Sequence, residues 1–120
     1  MSAGEALPRS ARIRRRSDYL RCYRRGRRRS GAFVILYAAP SGATGPRLGI
    51  TVSRKVGNSV VRHRIKRRVV EVFRRWPGRA LLPSLDLVVH VKPEAAGAGF
   101  AALRGELERL LSGLAEGRRA

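Results

Sequence analysis

Residues 47–75, RLGITVSRKVGNSVVRHRIKRRVVEVFRR, decide the fold, because the hydrophobic period changes within them. Leu48, Ile50 and Val52 alternate with Gly49, Thr51 and Ser53, which is the period of a strand over Leu48 to Ser53. Its second face is small and polar, as suits a surface that a ligand approaches closely. From Gly57 the period becomes helical: Val61, Ile65, Val69, Val72, Phe73 and Trp76 fall on one stripe. Asn58 and Ser59 supply N-cap chemistry, and Pro77-Gly78 ends the helix. Off the stripe stand Arg62, His63, Arg64, Lys66, Arg67, Arg68, Arg74 and Arg75, with Glu71 the only acid. One or two arginines on a helix are ordinarily a solvated face. This density of cations around a fixed apolar stripe makes a rigid rack for a polyanion. Arg54 and Lys55 flank the helix start, where free N–H groups and the positive end of the helix dipole favour phosphate.

The totals agree. A chain of 120 residues predicts one domain, and 43% hydrophobic residues suffice for a modest core. The net charge is +19, from 27 Lys+Arg against 8 Asp+Glu. Such an excess opposes folding by self-repulsion and ordinarily serves a polyanionic partner. It is uneven: 21 cations and 3 acids precede Trp76, while 6 cations and 5 acids follow. The polyanion is therefore expected on the N-terminal two-thirds. Cys22 is the only cysteine, which excludes an intramolecular disulfide and a thiolate metal site and suits a reducing compartment. No run has the length of a membrane span, and the Arg-rich start lacks a secretory apolar stretch, so the expected location is cytoplasmic.

Along the chain, residues 1–16 read as a disordered basic arm, 17–116 as a single RNA-binding domain and 117–120 as a frayed end. Ser17 is expected to cap a short helix closed by Gly26, with Tyr19 and Tyr23 on one face, rings against a sheet and an edge free for a base to stack on. A strand follows from about Ala32 to Ala39 and carries Tyr37, with a short extra strand near Arg27 to Ser30. The loop PSGATGP then joins it as a hairpin to the Leu48 strand. After the basic helix, LDLVVHV places Leu85, Leu87, Val89 and Val91 against Asp86, Val88 and His90. Phe100, Leu103, Leu107, Leu110, Leu111 and Leu114 space out a last amphipathic helix. The order α-β-β(-β)-α-β-α is that of an α+β fold, a two-layer sandwich with a small mixed sheet packed by helices.

No catalytic constellation is legible. His63 and His90 lack a neighbouring nucleophile or base, no carboxylate cluster offers a metal pair, and no phosphate loop of the Walker type occurs. The polypeptide reads as a binding module, with no cofactor, metal or catalytic residue of its own.

Lys55, Gly57, Asn58, Val60, Arg62, Arg64, Lys66, Arg67 and Glu71 match the pattern K-x-G-N-A-V-x-R-N-R-x-K-R and its following acid, the signature of the bacterial ribonuclease P protein component. The chain resembles that family from about Arg14 to Leu114, including an aromatic first helix and the strand LDLVVHVKP. His63 departs from the pattern by standing where the family has Asn, and Ser59 by standing for Ala. The resemblance implies a fold with a left-handed βαβ crossover, an exception to the usual hand. It also implies a non-catalytic subunit of a ribonucleoprotein endoribonuclease whose RNA performs the Mg²⁺-dependent removal of the 5′ leader from precursor tRNA. Binding to ribonuclease P RNA is then expected through Arg54, Lys55, Asn58, Arg62, His63, Arg64, Lys66, Arg67 and Arg68. The precursor's leader is expected on Tyr19, Tyr23 and Tyr37, and no membrane or small-molecule partner is implied. Composition alone would favour a structural basic protein such as a ribosomal protein, and a DNA-binding protein is disfavoured because no helix-turn-helix spacing occurs and the basic helix is followed by a strand.

Overall fold

The computed structural model describes residues 7–119, with side chains up to Ala115. The elements are α1 (Arg16–Arg25), β1 (Arg27–Ser30), β2 (Val34–Pro40), β3 (Arg47–Val52), α2 (Ser59–Arg75), β4 (Leu85–Val91) and α3 (Phe100–Arg119). Turns of 3-10 helix lie at Arg9–Ala11, Pro77–Leu81 and Pro93–Gly97. The fold is α+β around one mixed four-stranded sheet in the order β1-β2-β4-β3.

The expected hairpin between β2 and β3 does not form. β4 lies between them, antiparallel to β2 and parallel to β3, so α2 is the crossover of a β3-α2-β4 unit. β4 takes the centre and is buried on both faces, Leu85, Leu87, Val89 and Val91 on one and Asp86 and Val88 on the other. The hairpin partner of β2 is β1, the short strand at Arg27–Ser30. Their turn is held by Glu106 of α3, a buried carboxylate that accepts from the backbone N–H groups of Ala32, Phe33 and Val34 at 2.7, 2.8 and 2.9 Å. Side chains at residue 31 would collide with that carboxylate, so Gly31 is required there.

α2 and α3 form the helical layer on one sheet face. Ile65, Val69, Val72 and Phe73 of α2 and Leu103, Leu107, Leu110, Leu111 and Leu114 of α3 meet Val34, Leu36, Leu48, Leu87 and Val89 there. The two helical periods in the sequence are thus the core-facing stripes, except that Phe100 is exposed, with the Arg68 guanidinium 5.6 Å from its ring centre. α1 lies on the opposite face and covers only part of it, burying Cys22 against Ala39 and Val88. Ser17 does not cap α1, which begins a residue earlier with Arg15 at the cap position and no side-chain cap bond. Gly26 does end it, and is needed for space, since a Cβ there would strike the Cys22 carbonyl.

The expected disordered arm is ordered from Leu7 on; its first six residues lie outside the described ones. Leu7 and Ile13 are buried, Arg12 pairs in parallel with Leu48, and Ile13 N–H donates to the Leu48 carbonyl at 3.0 Å. The segment therefore covers the outer edge of β3, whose N–H and C=O groups would otherwise be unpaired. At the other terminus the backbone of α3 is helical through Arg119, past the end expected at residue 117.

α1 is fixed by an ion cluster. Asp86 on β4 is wholly inaccessible, and its carboxylate accepts a two-pronged bond from Arg47 of β3, Nε to Oδ1 at 2.7 Å and Nη2 to Oδ2 at 2.8 Å. Arg21 of α1 donates to the same carboxylate and to the Pro40 carbonyl, and Asp18 stands 3.4 Å from Arg47 and 3.5 Å from Arg21. Beside it the Cys22 thiol, 3.5 Å from the Asp86 carbonyl, is pushed up to about 11 by burial and the nearby carboxylate charge. It stays protonated at neutral pH and is a poor nucleophile. Asp86→Ala leaves two guanidiniums without their shared anion. A urea titration should show a loss of about 3 kcal/mol, the lower end for a broken buried pair because both arginines reach solvent in part.

Candidate nucleic-acid interface

Asn58 caps α2, its Oδ1 accepting from Val61 N–H at 3.0 Å. This fixes the register in which the apolar stripe faces the core and the cations face out. His63, Arg64, Lys66 and Arg67 are exposed, while Arg62 and Arg68 are half-buried. The shielded Nε of Arg62 has no hydrogen-bond partner among the described residues. Arg74 and Arg75 are committed to Glu71 at 2.9 Å each. The Arg74 hydrogen bond, helped by the Arg75 charge, holds that carboxyl below its ordinary range. The free cations thus lie on the first two-thirds of the helix, and Arg54 and Lys55 are exposed in the turn just before it.

Between α2, β3 and the N-terminal segment lies an open cavity of about 890 Å³. Its floor is apolar, from Leu7, Ile13, Leu48, Ile50 and Val70, and its rim carries the cations Arg12, Arg64, Lys66, Arg67 and Arg68 together with His63 and Glu71. Of the expected RNA ligands, these five of α2 are brought together around one concavity. Arg54, Lys55, Asn58 and Arg62 lie outside its lining.

The tyrosines divide. Tyr23 and Tyr37 meet edge to face with ring centres 4.7 Å apart. Tyr19, one turn earlier on α1, lies flat on Gly49 and lines the cavity beside the α2 cations. Burial raises the pKa of both Tyr19 and Tyr23, so both phenols remain protonated donors well above neutral pH. Tyr23 donates to Thr51 Oγ1 at 2.8 Å and stands 3.1 Å from His90 Nδ1. His90 and Thr51 are register partners on adjacent strands, so both project from the face that carries α1. The strip Ile35–His90–Thr51, bordered by Tyr37 and by Tyr23 of α1, is half-exposed.

Sequence reasoning placed Thr51 on a strand face that a ligand approaches, but missed His90 as part of this surface. Their alternation was readable, but only the sheet order makes them neighbours. Arg12, Leu7 and Ile13 were missed for a different reason: a segment without periodicity carries no sign that it pairs with an edge.

A family model described as Ribonuclease P matches residues 7–115 of the chain. The ribonuclease P protein component of Acidothermus cellulolyticus is 40% identical over 113 residues, an alignment spanning 92% of each chain. Among solved structures, the RNase P protein of Staphylococcus aureus superposes with a TM-score of 0.78 at 28% identity, over 85% of this chain and 93% of that one. The RNase P protein of Thermotoga maritima superposes at 0.74 with 31% identity, over 83% and 94%.

The contact of Tyr19 with Gly49 can be tested by itself. A Cβ at residue 49 would stand 2.7 Å from the ring, so the ring would have to shift. Gly49→Ala is expected to lower stability by about 1–3 kcal/mol, as overpacking does. Gly42→Ala, in a loop where a Cβ meets nothing within 4 Å, should leave the thermal midpoint unchanged.

Proposed function

The chain belongs to the ribonuclease P protein family, and from that premise we propose how it serves the enzyme: α2 and the turn before it dock onto the catalytic RNA, while Tyr19, Tyr23 and Tyr37 hold the 5′ leader of precursor tRNA. Ribonuclease P is the ribonucleoprotein endoribonuclease of tRNA 5′ processing, and this chain is its protein component. The observation that carries the proposal is the division of α2, one stripe locked in the core and the other faces free and cationic. A pinned helix presents its charges without reorganising, so little ordering is needed when phosphates arrive.

Arg54, Lys55, Arg62, Arg64, Lys66, Arg67 and Arg68 are the phosphate ligands in this reading. Arginine's planar fork suits two phosphate oxygens at once. Asn58 acts through its cap, setting the angle at which the first turn meets the RNA. His63 on the cavity rim offers a ring N–H to phosphate or ribose in place of the family's amide.

The leader crosses the half-exposed face between the aromatic rings. Stacking tolerates any base, which a site receiving many different leaders needs. The Mg²⁺-dependent hydrolysis belongs to the RNA, and the protein's own residues bind and orient the substrate.

Three measurements bear on this. Reconstitution of precursor-tRNA cleavage at low Mg²⁺ should depend on the protein, whereas a structural ribosomal protein would give no stimulation. Binding to the catalytic RNA should weaken by on the order of 10³–10⁵ between 50 and 200 mM salt if roughly 6–10 phosphates are engaged, and Arg64→Gln should reduce the log–log salt slope by about one unit. A slope near zero would refute the phosphate assignment. Tyr37→Ala should weaken precursor binding by roughly 5- to 150-fold, the equivalent of one stacked base at about 1–3 kcal/mol, and leave mature tRNA unaffected. Equal losses on precursor and mature tRNA would make the tyrosines core residues only.

A further inference from the structure

The α2 cations stand at the β3 side of the sheet, and a second group stands at the other end. Arg24 and Arg25 close α1, and Arg27, Arg28 and Arg29 make up most of β1, the edge strand. Among the described residues none of these five lies within ion-pair distance of a carboxylate. Register separates them by face. Arg28 pairs with Tyr37, and directly paired residues of an antiparallel ladder project to the same side, so Arg28 stands beside the aromatic pair. Arg29 projects the other way, its guanidinium packed where a side chain at Gly113 of α3 would be.

Two ordinary explanations are available for such residues. Charge on an edge strand prevents pairing with other chains, and cations at a helix C-terminus complement the dipole. The first is served by either sign of charge, and the second concerns only Arg24 and Arg25. Neither accounts for a group of one sign, without a single acid, on a protein that already carries +19.

We infer that Arg28, with Arg24, is a second phosphate-binding site for single-stranded RNA, which takes the backbone of leader nucleotides beyond those stacked on Tyr23 and Tyr37. The inference rests on the leader reading above and extends it. A strand entering beside α2 crosses β3, β4 and β2 over Thr51, His90 and Ile35, and meets Arg28 as it leaves over β1. The aromatic strip is thus flanked by cations at both ends, so longer leaders gain contacts that short ones cannot reach.

The test compares reconstituted holoenzyme carrying the wild-type protein or Arg24→Gln/Arg28→Gln, on precursor tRNAs whose leaders lengthen in steps from two nucleotides. Wild-type affinity should continue to rise after the aromatic strip is filled. The double variant should lose that further rise, binding the longest leader roughly tenfold more weakly near physiological salt, with a salt slope smaller by about 1.4, from two single-strand contacts of about 0.7 each. The two-nucleotide leader should be bound alike by both. Should loss of edge charge cause aggregation, Arg24→Glu/Arg28→Glu keeps the edge charged and is expected to lose at least as much affinity for the longest leader. Identical length dependence in wild type and variant, with Tyr37→Ala still impaired, overturns this inference and leaves the leader reading intact. No leader dependence in any of the proteins, Tyr37→Ala included, overturns both.

Discussion

The carboxylate of Asp86 is the constraint on which the nucleic-acid face depends. It is inaccessible at the centre of the sheet, and it is satisfied only if β3 supplies Arg47 and α1 supplies Arg21. An unpaired buried carboxylate would be strongly destabilising, so any arrangement that moves α1 off the sheet or slips β3 against β4 is penalised. Tyr19 and Tyr23 lie on the helix that Arg21 fastens. The positions of both rings are consequences of an ion cluster that touches neither of them. A greasy contact in the same place would bury as much surface but would tolerate sliding, whereas a two-pronged guanidinium–carboxylate pair tolerates little. The remainder of the contact between α1 and the sheet is small: Cys22, Ala39 and Val88, with the tyrosines at its margin.

The opposite face is held by different means. There α2 and α3 bury apolar stripes, and among the described residues the only buried acid on that face is Glu106, which is spent on three backbone N–H groups of the β1–β2 turn. That face can therefore absorb the self-repulsion of a +19 chain. The cations of α2 are spread around a helix that packing holds rigid, and Asp86, Glu106 and Glu71 are placed where a specific backbone or arginine needs them. Glu71 is an instance. By engaging Arg74 and Arg75 it offsets one of their two charges and occupies both guanidiniums, leaving the cations of the earlier turns uncommitted.

Periodic elements were legible in the sequence, and long-range pairing was not. The stripe Ile65–Val69–Val72–Phe73 and the leucines of α3 are buried as their spacing requires, with Val61 partly buried at its start, because a helix's buried face is a local property of the chain. The hairpin between β2 and β3 was misread because adjacency in sequence is the usual guide to adjacency in a sheet, and a loop rich in Pro, Gly and Ser reads as a turn wherever its strands go. The unbroken apolar run Leu87-Val88-Val89 was the available sign that β4 is buried on both faces and belongs in the centre. Asp86 was invisible as a structural residue, since an acid alternating with leucines and valines reads as a solvent-facing position until its two arginines, 39 and 65 residues away, are known. Phe100 shows the converse: its spacing places it on the apolar stripe, yet it sits at the first residue of α3, beyond the reach of the core, and Arg68 covers it instead.

The candidate site was legible in kind and illegible in arrangement. The basic residues of α2 and the three tyrosines could be picked out by type, but the tyrosines are not one platform. Tyr19 belongs to the cavity beside α2, and Tyr23 and Tyr37 belong to the open sheet. Gly49 is the residue that permits this division. Its missing side chain lets the Tyr19 ring lie down on β3, and any Cβ there would lift the ring toward the opening of the cavity. The polar face noticed at Gly49, Thr51 and Ser53 thus has two distinct uses. At residue 49 the absence of a side chain makes room for an aromatic ring, and at residue 51 a hydroxyl receives the phenol of another. Because both contacts fall on one edge strand, the two aromatic positions share a single support, and that support is joined to β4 through Arg47 and Asp86. The surfaces proposed for the catalytic RNA and for the leader are consequently not independent modules: β3 lies between them, and its register against β4 sets the distance from one to the other.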